Sequence, residues 1–95
     1  MQFEWDEAKD RANREKHGIG FDRAVRVFRS DHVTVVARPG ADGEARLKTI
    51  GMLDDVLLVS LIHTDRAGIT RLISARPAKR KERRFYFGQD RTGET

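Results

Sequence analysis

Hydrophobic positions change period along this chain. Phe3, Glu4 and Trp5 alternate as in a short strand. Asp6 then offers an N-cap carboxylate, and Glu7 adds charge that suits the positive helix end. A helix is predicted from there to about His17, ended by Gly18 in the left-handed conformation. Phe21, Ala24, Val25 and Phe28 recur at helical spacing and predict a second helix, from about Phe21 to Arg29, with one apolar face. The period then drops to two. Val33–Val36, Ala45–Leu53, Val56–Thr64 and Ile69–Arg76 read as strands, separated by turn compositions at Pro39–Gly43, Asp54-Asp55 and Asp65–Gly68. In the third of these strands Leu57, Val59 and Leu61 face one way, and Val56, Leu58 and Ile62 the other. Both faces need cover, which predicts a central strand with helices on at least one side. A third helix is predicted to start near Ala78 and to end in Phe85, Tyr86 and Phe87.

The order β-α-α-β-β-β-β-α reads as α+β: a small single domain, with an antiparallel sheet of four to five strands, two N-terminal helices and a basic C-terminal helix. The domain is expected over residues 1–88, with 89–95 a loose polar tail. A length of 95 residues leaves room for one domain. The absence of cysteine excludes disulfides, thiolate metal sites and cysteine nucleophiles, and fits a reducing compartment. No apolar run approaches the ~20 residues of a membrane span, and the acidic, aromatic start does not resemble a signal peptide. The expectation is a cytoplasmic protein without membrane contact.

Charge sharpens the picture. The chain carries 19 Lys and Arg against 15 Asp and Glu, a net +4, yet residues 76–84 alone hold six cations and one acid. The rest is close to neutral. One concentrated basic segment points to a polyanion or an acidic partner; a solvated helix face is the plain alternative.

On the first helix, ~100° per residue places Trp5, Ala8 and Ala12 in one buried stripe, with Lys9, Asn13, Lys16 and His17 along its edge. That edge is where a pocket between helix and sheet would lie, although lysine stems lying over apolar surface account for the same pattern. His17 ends the helix, where a cation is favoured, and suits either a general acid or a simple cap. His63 closes the central strand as a structural or a catalytic residue, and His32 receives no role. No His-Glu-x-x-His motif and no acidic pair at a defined strand end occurs, so no metal or other cofactor is expected. Arg71 and Arg76 lie five apart and point to opposite faces of the last strand unless a bulge intervenes; Ser74 and Arg76 share a face.

Several stretches together resemble one family. Phe3-Glu4-Trp5-Asp6-Glu7-Ala8-Lys9, Asn13, Lys16-His17-Gly18 and Phe21 resemble the opening of BrnT-type toxins. Thr49-Ile50-Gly51, His63-Thr64, Ile73-Ser74-Ala75-Arg76, Glu82-Arg83-Arg84 and Tyr86 follow in the same order. The chain departs from the pattern at Gly20, Pro77 and Lys79, all at helix starts. The resemblance implies a ribonuclease toxin of a type II toxin–antitoxin system, with a RelE/ParE-like fold, which cleaves RNA and inhibits translation. It implies neutralisation by a BrnA-like ribbon-helix-helix antitoxin in a hetero-oligomer, with DNA reached only through that partner.

Without a metal site, the expected chemistry is attack by the RNA's own 2′-hydroxyl, with His, Lys and Arg supplying proton transfer and charge. The expected catalytic residues are Arg76 as phosphate clamp, Lys16 and His17 as acid and base, and His63 as a further possibility. Lys9, Asn13, Arg71, Ser74, Lys79, Arg80, Arg83 and Arg84 are expected to bind RNA. The competing reading is a non-catalytic nucleic-acid-binding or protein-interaction module that uses the basic helix.

Overall fold

The computed structural model describes residues 1–88; the tail expected over 89–95 lies outside the described residues. Strand β1 (Gln2–Trp5) leads into α1 (Glu7–His17), a short α2 (Phe21–Ala24) and a 3₁₀ turn over Val25–Arg29. Strands β2 (His32–Ala37), β3 (Arg46–Leu53), β4 (Leu57–Arg66) and β5 (Ile69–Pro77) follow, then α3 (Arg80–Tyr86). They form one sheet in the order β1-β5-β4-β3-β2, with β4 in the middle as its two apolar faces predict.

The sheet is mixed, which corrects the purely antiparallel expectation. β2 to β5 form an antiparallel meander, but β1 runs parallel to β5, pairing Gln2–Trp5 with Ile69–Leu72. Alternation marks a strand without giving its direction. Here the chain leaves β1 through helices and reaches β5 only after three strands, so no tight turn dictates an antiparallel pair.

Local chemistry explains most boundaries. Asp6 accepts from the Ala8 N–H at 2.8 Å and caps α1, and Gly18 at φ 74° ends it. The predicted second helix tightens to 3₁₀ from Val25; Val27 joins Phe21 and Ala24 as fully buried, and Val25 and Phe28 pack partly buried against them. Gly51 leaves room for this segment: a Cβ there would meet Val27 Cγ1 at 2.8 Å.

One face of the sheet is covered. Leu53, Val59, Leu61, Leu72 and Ala75 pack beneath Ile19, Phe21, Ala24 and Val27. On the opposite face Ile50 and Leu58 pack with Tyr86 of α3, and α3 covers only that end.

The buried face of α1 is not the predicted alanine stripe. Ala8 and Ala12 are exposed, while Asp10 and Asn13 are buried. Asn13 Nδ2 donates to the carbonyls of Ile19 and Ala75 at 2.8 Å each, and its Oδ1 accepts from the Ala75 N–H at 3.1 Å. β1 pairs with β5 only as far as Leu72; beyond it, the Asn13 carboxamide takes the hydrogen bonds a further strand residue would make. Asp10 accepts from the Phe21 N–H at 2.7 Å and pairs with Arg14, whose guanidinium holds the carboxyl below its usual range. The helix is therefore anchored by polar groups, a pattern that hydrophobic periodicity does not register. No helix among the described residues is long and apolar enough to cross a membrane.

Candidate nucleic-acid interface

The open face of the sheet gathers the cations. Ser74 pairs with Ile62 and Leu72 with His63, so β5 carries one extra residue, Ile73, as a bulge. The bulge reverses the parity of β5. Leu72 and Ala75, three apart, both point into the covered core. Arg71 and Arg76, opposite Thr64 and Ser60 of β4, then share the open face.

Arg76 is a half-buried centre of this face. Its Nη1 and Nη2 donate to Glu82 Oε1 and Oε2 at 2.7 and 2.8 Å, a bidentate pair. Glu82 also takes Lys48 Nζ at 2.9 Å, the Lys79 N–H at 2.9 Å and Ser60 Oγ at 3.3 Å. Burial alone would raise the Glu82 carboxyl. The hydrogen bonds from Arg76, Lys79 and Lys48 outweigh burial and hold it well below the usual carboxylate range. Glu82 in turn keeps Arg76 firmly protonated. One buried carboxylate thus fixes two cations from different strands and the first turn of α3.

Next to this cluster lies a cleft of about 430 Å³, with Arg38, Arg46, Lys48 and Arg76 around Ala37 and Ile62. Arg46 Nε is buried and has no hydrogen-bond partner among the described residues. A donor set of four cations suits phosphate oxygens, and Arg76 and Arg46 add the geometry of the guanidinium. Lys48 also lines a second cavity, of about 420 Å³, against Val35, Ile50, Lys81, Glu82 and Phe85.

The expected site residues divide between the two sides of the sheet. Arg76 lies in the cleft, and Ser74 sits beside it, paired with Ile62. Lys79, Arg80, Arg83 and Arg84 are exposed on or next to α3, with the Arg83 guanidinium 5.7 Å from the Phe87 ring centre. Arg71 shares the face but lies at its far end, paired with Glu4 at 3.0 Å. Lys9 and Lys16 are exposed, and His17 is half-buried, on α1, which packs on the covered side against Ile19 and β5. They do not meet Arg76. Asn13 is consumed by backbone. His63 is 1% exposed on the covered face, with Nε2 2.7 Å from Thr49 Oγ1, Nδ1 2.9 Å from Asp65 Oδ1 and the Phe28 ring centre at 5.3 Å.

Arg38, Arg46, Lys48 and Glu82 were not among the expected site residues. Arg46 and Lys48 are two apart on a strand and so share a face, a signal present in the chain. Glu82, the single acid of the basic run, was the other.

The family model described as "Ribonuclease toxin, BrnT, of type II toxin-antitoxin system" matches residues 5–82. Among solved structures, the 1.1 Å crystal structure of the Brucella abortus ribonuclease toxin BrnT is 29% identical, with a TM-score of 0.64. The match covers 84% of this chain and 99% of that one. No curated protein sequence matches. With the ordered motifs and the five-stranded sheet, these matches settle the family: the chain belongs to the BrnT ribonuclease toxins of type II toxin–antitoxin systems.

Proposed function

We propose that this protein is a metal-independent endoribonuclease whose substrate phosphate binds in the Arg38–Arg46–Lys48–Arg76 cleft. The observation that carries the reading is the Arg76–Glu82–Lys48 cluster at the mouth of a cleft that holds four cations. In cleavage by the 2′-hydroxyl, the 2′-oxygen attacks phosphorus and the bond to the 5′-oxygen breaks. The 2′-oxygen loses its proton to solvent water and the 5′-oxygen gains one from the protein, leaving a 2′,3′-cyclic phosphate and a 5′-hydroxyl. Charge grows on the phosphoryl oxygens at the transition state, and cations already fixed in place stabilise it without reorganising. Glu82 is too well satisfied to act as a strong base, and its work is to hold Arg76 and Lys48. Lys48 is the proton donor the cleft offers the leaving oxygen. Lys79, Arg80, Arg83 and Arg84 hold flanking backbone phosphates. The donor set matches phosphate better than a divalent cation, which supports activity without metal.

The rest of the reading follows from the family. The fold falls among RelE/ParE-like toxins, the cleaved RNA serves translation in the cytoplasm, and a ribbon-helix-helix antitoxin silences the protein as a hetero-oligomer. The test is RNA cleavage in EDTA by Arg76→Ala, Lys48→Ala, Lys16→Ala and His17→Ala. Losing a preorganised charge stabiliser costs ~10²-fold or more. That loss is expected for Arg76→Ala and Lys48→Ala, and a change of a few fold for the two α1 variants. Wild-type activity in folded Arg76→Ala, or a loss confined to Lys16 and His17, places the chemistry on the other side of the sheet. Cleavage that needs added Mg²⁺ refutes the metal-free mechanism.

A further inference from the structure

The cavity beside the phosphate cleft has a different character. Its walls are Val35, Ile50 and Phe85, and its rim is Lys48, Lys81 and Glu82. A volume of about 420 Å³ falls within the range of small-molecule sites. Lys48 lines both spaces, and Glu82 joins Lys48 to Arg76. A phosphate held by Arg76 and Lys48 therefore carries its own nucleoside to the mouth of the apolar cavity.

We propose that this cavity receives the base of the nucleotide attached to the bound phosphate, and that it prefers guanine to adenine. The inference rests on the phosphate reading above. An aromatic ring beside branched aliphatic walls is what an unstacked base needs, since stacking on an aromatic side chain replaces the stacking lost in RNA. The rim sets the preference. Glu82 accepts five hydrogen bonds already, so it has little capacity left to read a base N–H. The remaining rim groups, Lys48 and Lys81, carry only donors. Guanine presents two adjacent acceptors, O6 and N7, whereas adenine pairs its N7 with an amino group that a lysine repels. The two purines stack alike, so the difference between them isolates the rim.

The experiment measures binding of 3′-GMP, 3′-AMP and inorganic phosphate by titration calorimetry, to wild type, Phe85→Leu, Val35→Trp, Lys81→Met and Arg76→Ala. Wild type should bind 3′-GMP on the order of 10-fold tighter than 3′-AMP, the discrimination of one good base contact, and both nucleotides tighter than phosphate. Phe85→Leu, which keeps apolar volume, and Val35→Trp, which fills the cavity from the edge strand, should each remove the advantage of nucleotide over phosphate. Lys81→Met should narrow the gap between the purines, and Arg76→Ala should weaken all three ligands together. Nucleotides that bind no better than phosphate overturn the base site and leave the phosphate reading standing. So does a base increment that survives both cavity variants. Equal purines refute the preference. Phosphate binding unaffected by Arg76→Ala refutes the phosphate reading itself.

Discussion

Glu82→Gln should destabilise the protein in a way that depends on pH. The carboxylate takes two bonds from Arg76, one from Lys48, one from the Lys79 N–H and one from Ser60. Glutamine keeps the shape and loses the charge. It also turns an NH₂ group toward donors, so at least one guanidinium or ammonium bond becomes a repulsive contact. Charge-assisted bonds contribute about 1.5–3 kcal/mol each, and breaking a buried ion pair from one side costs about 3–5 kcal/mol. The Arg76 and Lys48 side chains remain 24% and 28% exposed, so water recovers part of the loss. The expected cost at pH 7 is about 3 kcal/mol, or on the order of 10–20 °C in Tm for a domain of this size. The sign with pH follows from linkage. The folded carboxyl lies below its ordinary 4.5, so its stabilisation is complete above that value and is lost as pH falls below it. At pH 3 the loss amounts to about 2 kcal/mol, which leaves wild type and variant about 1 kcal/mol apart. Urea unfolding of both proteins at pH 7 and pH 3 measures the two gaps. A gap below about 0.5 kcal/mol at pH 7, or one equally large at both pH values, refutes the picture of Glu82 as a buried charged anchor.

Asn13→Ala should cost about 2–4 kcal/mol, because it strands the Ala75 N–H and two carbonyls in a buried setting; a denaturation midpoint equal to wild type would show that the bracket contributes nothing. Gly51→Ala should cost about 1–3 kcal/mol, since the new methyl meets Val27 and His32 below 3 Å, and thermal unfolding reads the loss. Reversing Arg80, Arg83 and Arg84 to Glu should weaken RNA binding and antitoxin binding together. It should also lower the slope of log affinity against log salt for single-stranded RNA by about 2, or ~0.7 per lost cation. Calorimetry at two salt concentrations checks both ligands, and an unchanged antitoxin affinity at both places the antitoxin away from α3.

The parts of this fold set by local rules were readable from the chain. Asp6 and Gly18 bound α1 where capping chemistry puts them, and the doubly apolar run of β4 marks the middle strand. Strand direction is not readable, because alternation is the same for a parallel and an antiparallel partner, and β1 pairs parallel to β5 where an antiparallel sheet is expected. The inner face of α1 departs from the expected stripe for another reason. The 3.6-residue period locates buried apolar side chains, and here the buried side chains are Asp10 and Asn13, chosen for hydrogen bonding. At the site, Arg76 and the basic helix stand out by charge density alone. Arg38, Arg46 and Lys48 belong to β2–β3 and the loop between them, and they meet Arg76 of β5 only when the sheet is assembled.

The bulge at Ile73 connects the two sides of the molecule. A regular β5 with Arg76 on the open face would turn Leu72 away from the core, and one with Leu72 in the core would turn Arg76 beneath the helices. The extra residue allows both, at the cost of breaking the ladder between Leu72 and Ser74. β1 no longer supports the strand there, and Asn13 takes over by gripping both polar backbone groups of Ala75, the residue next to Arg76. Asn13 therefore bears on the cationic cleft without facing it. It fixes the backbone next to Arg76, just as Glu82 fixes the guanidinium at the tip of that side chain. Asn13 of the first helix and the cations of the open face thus meet on opposite sides of a single strand.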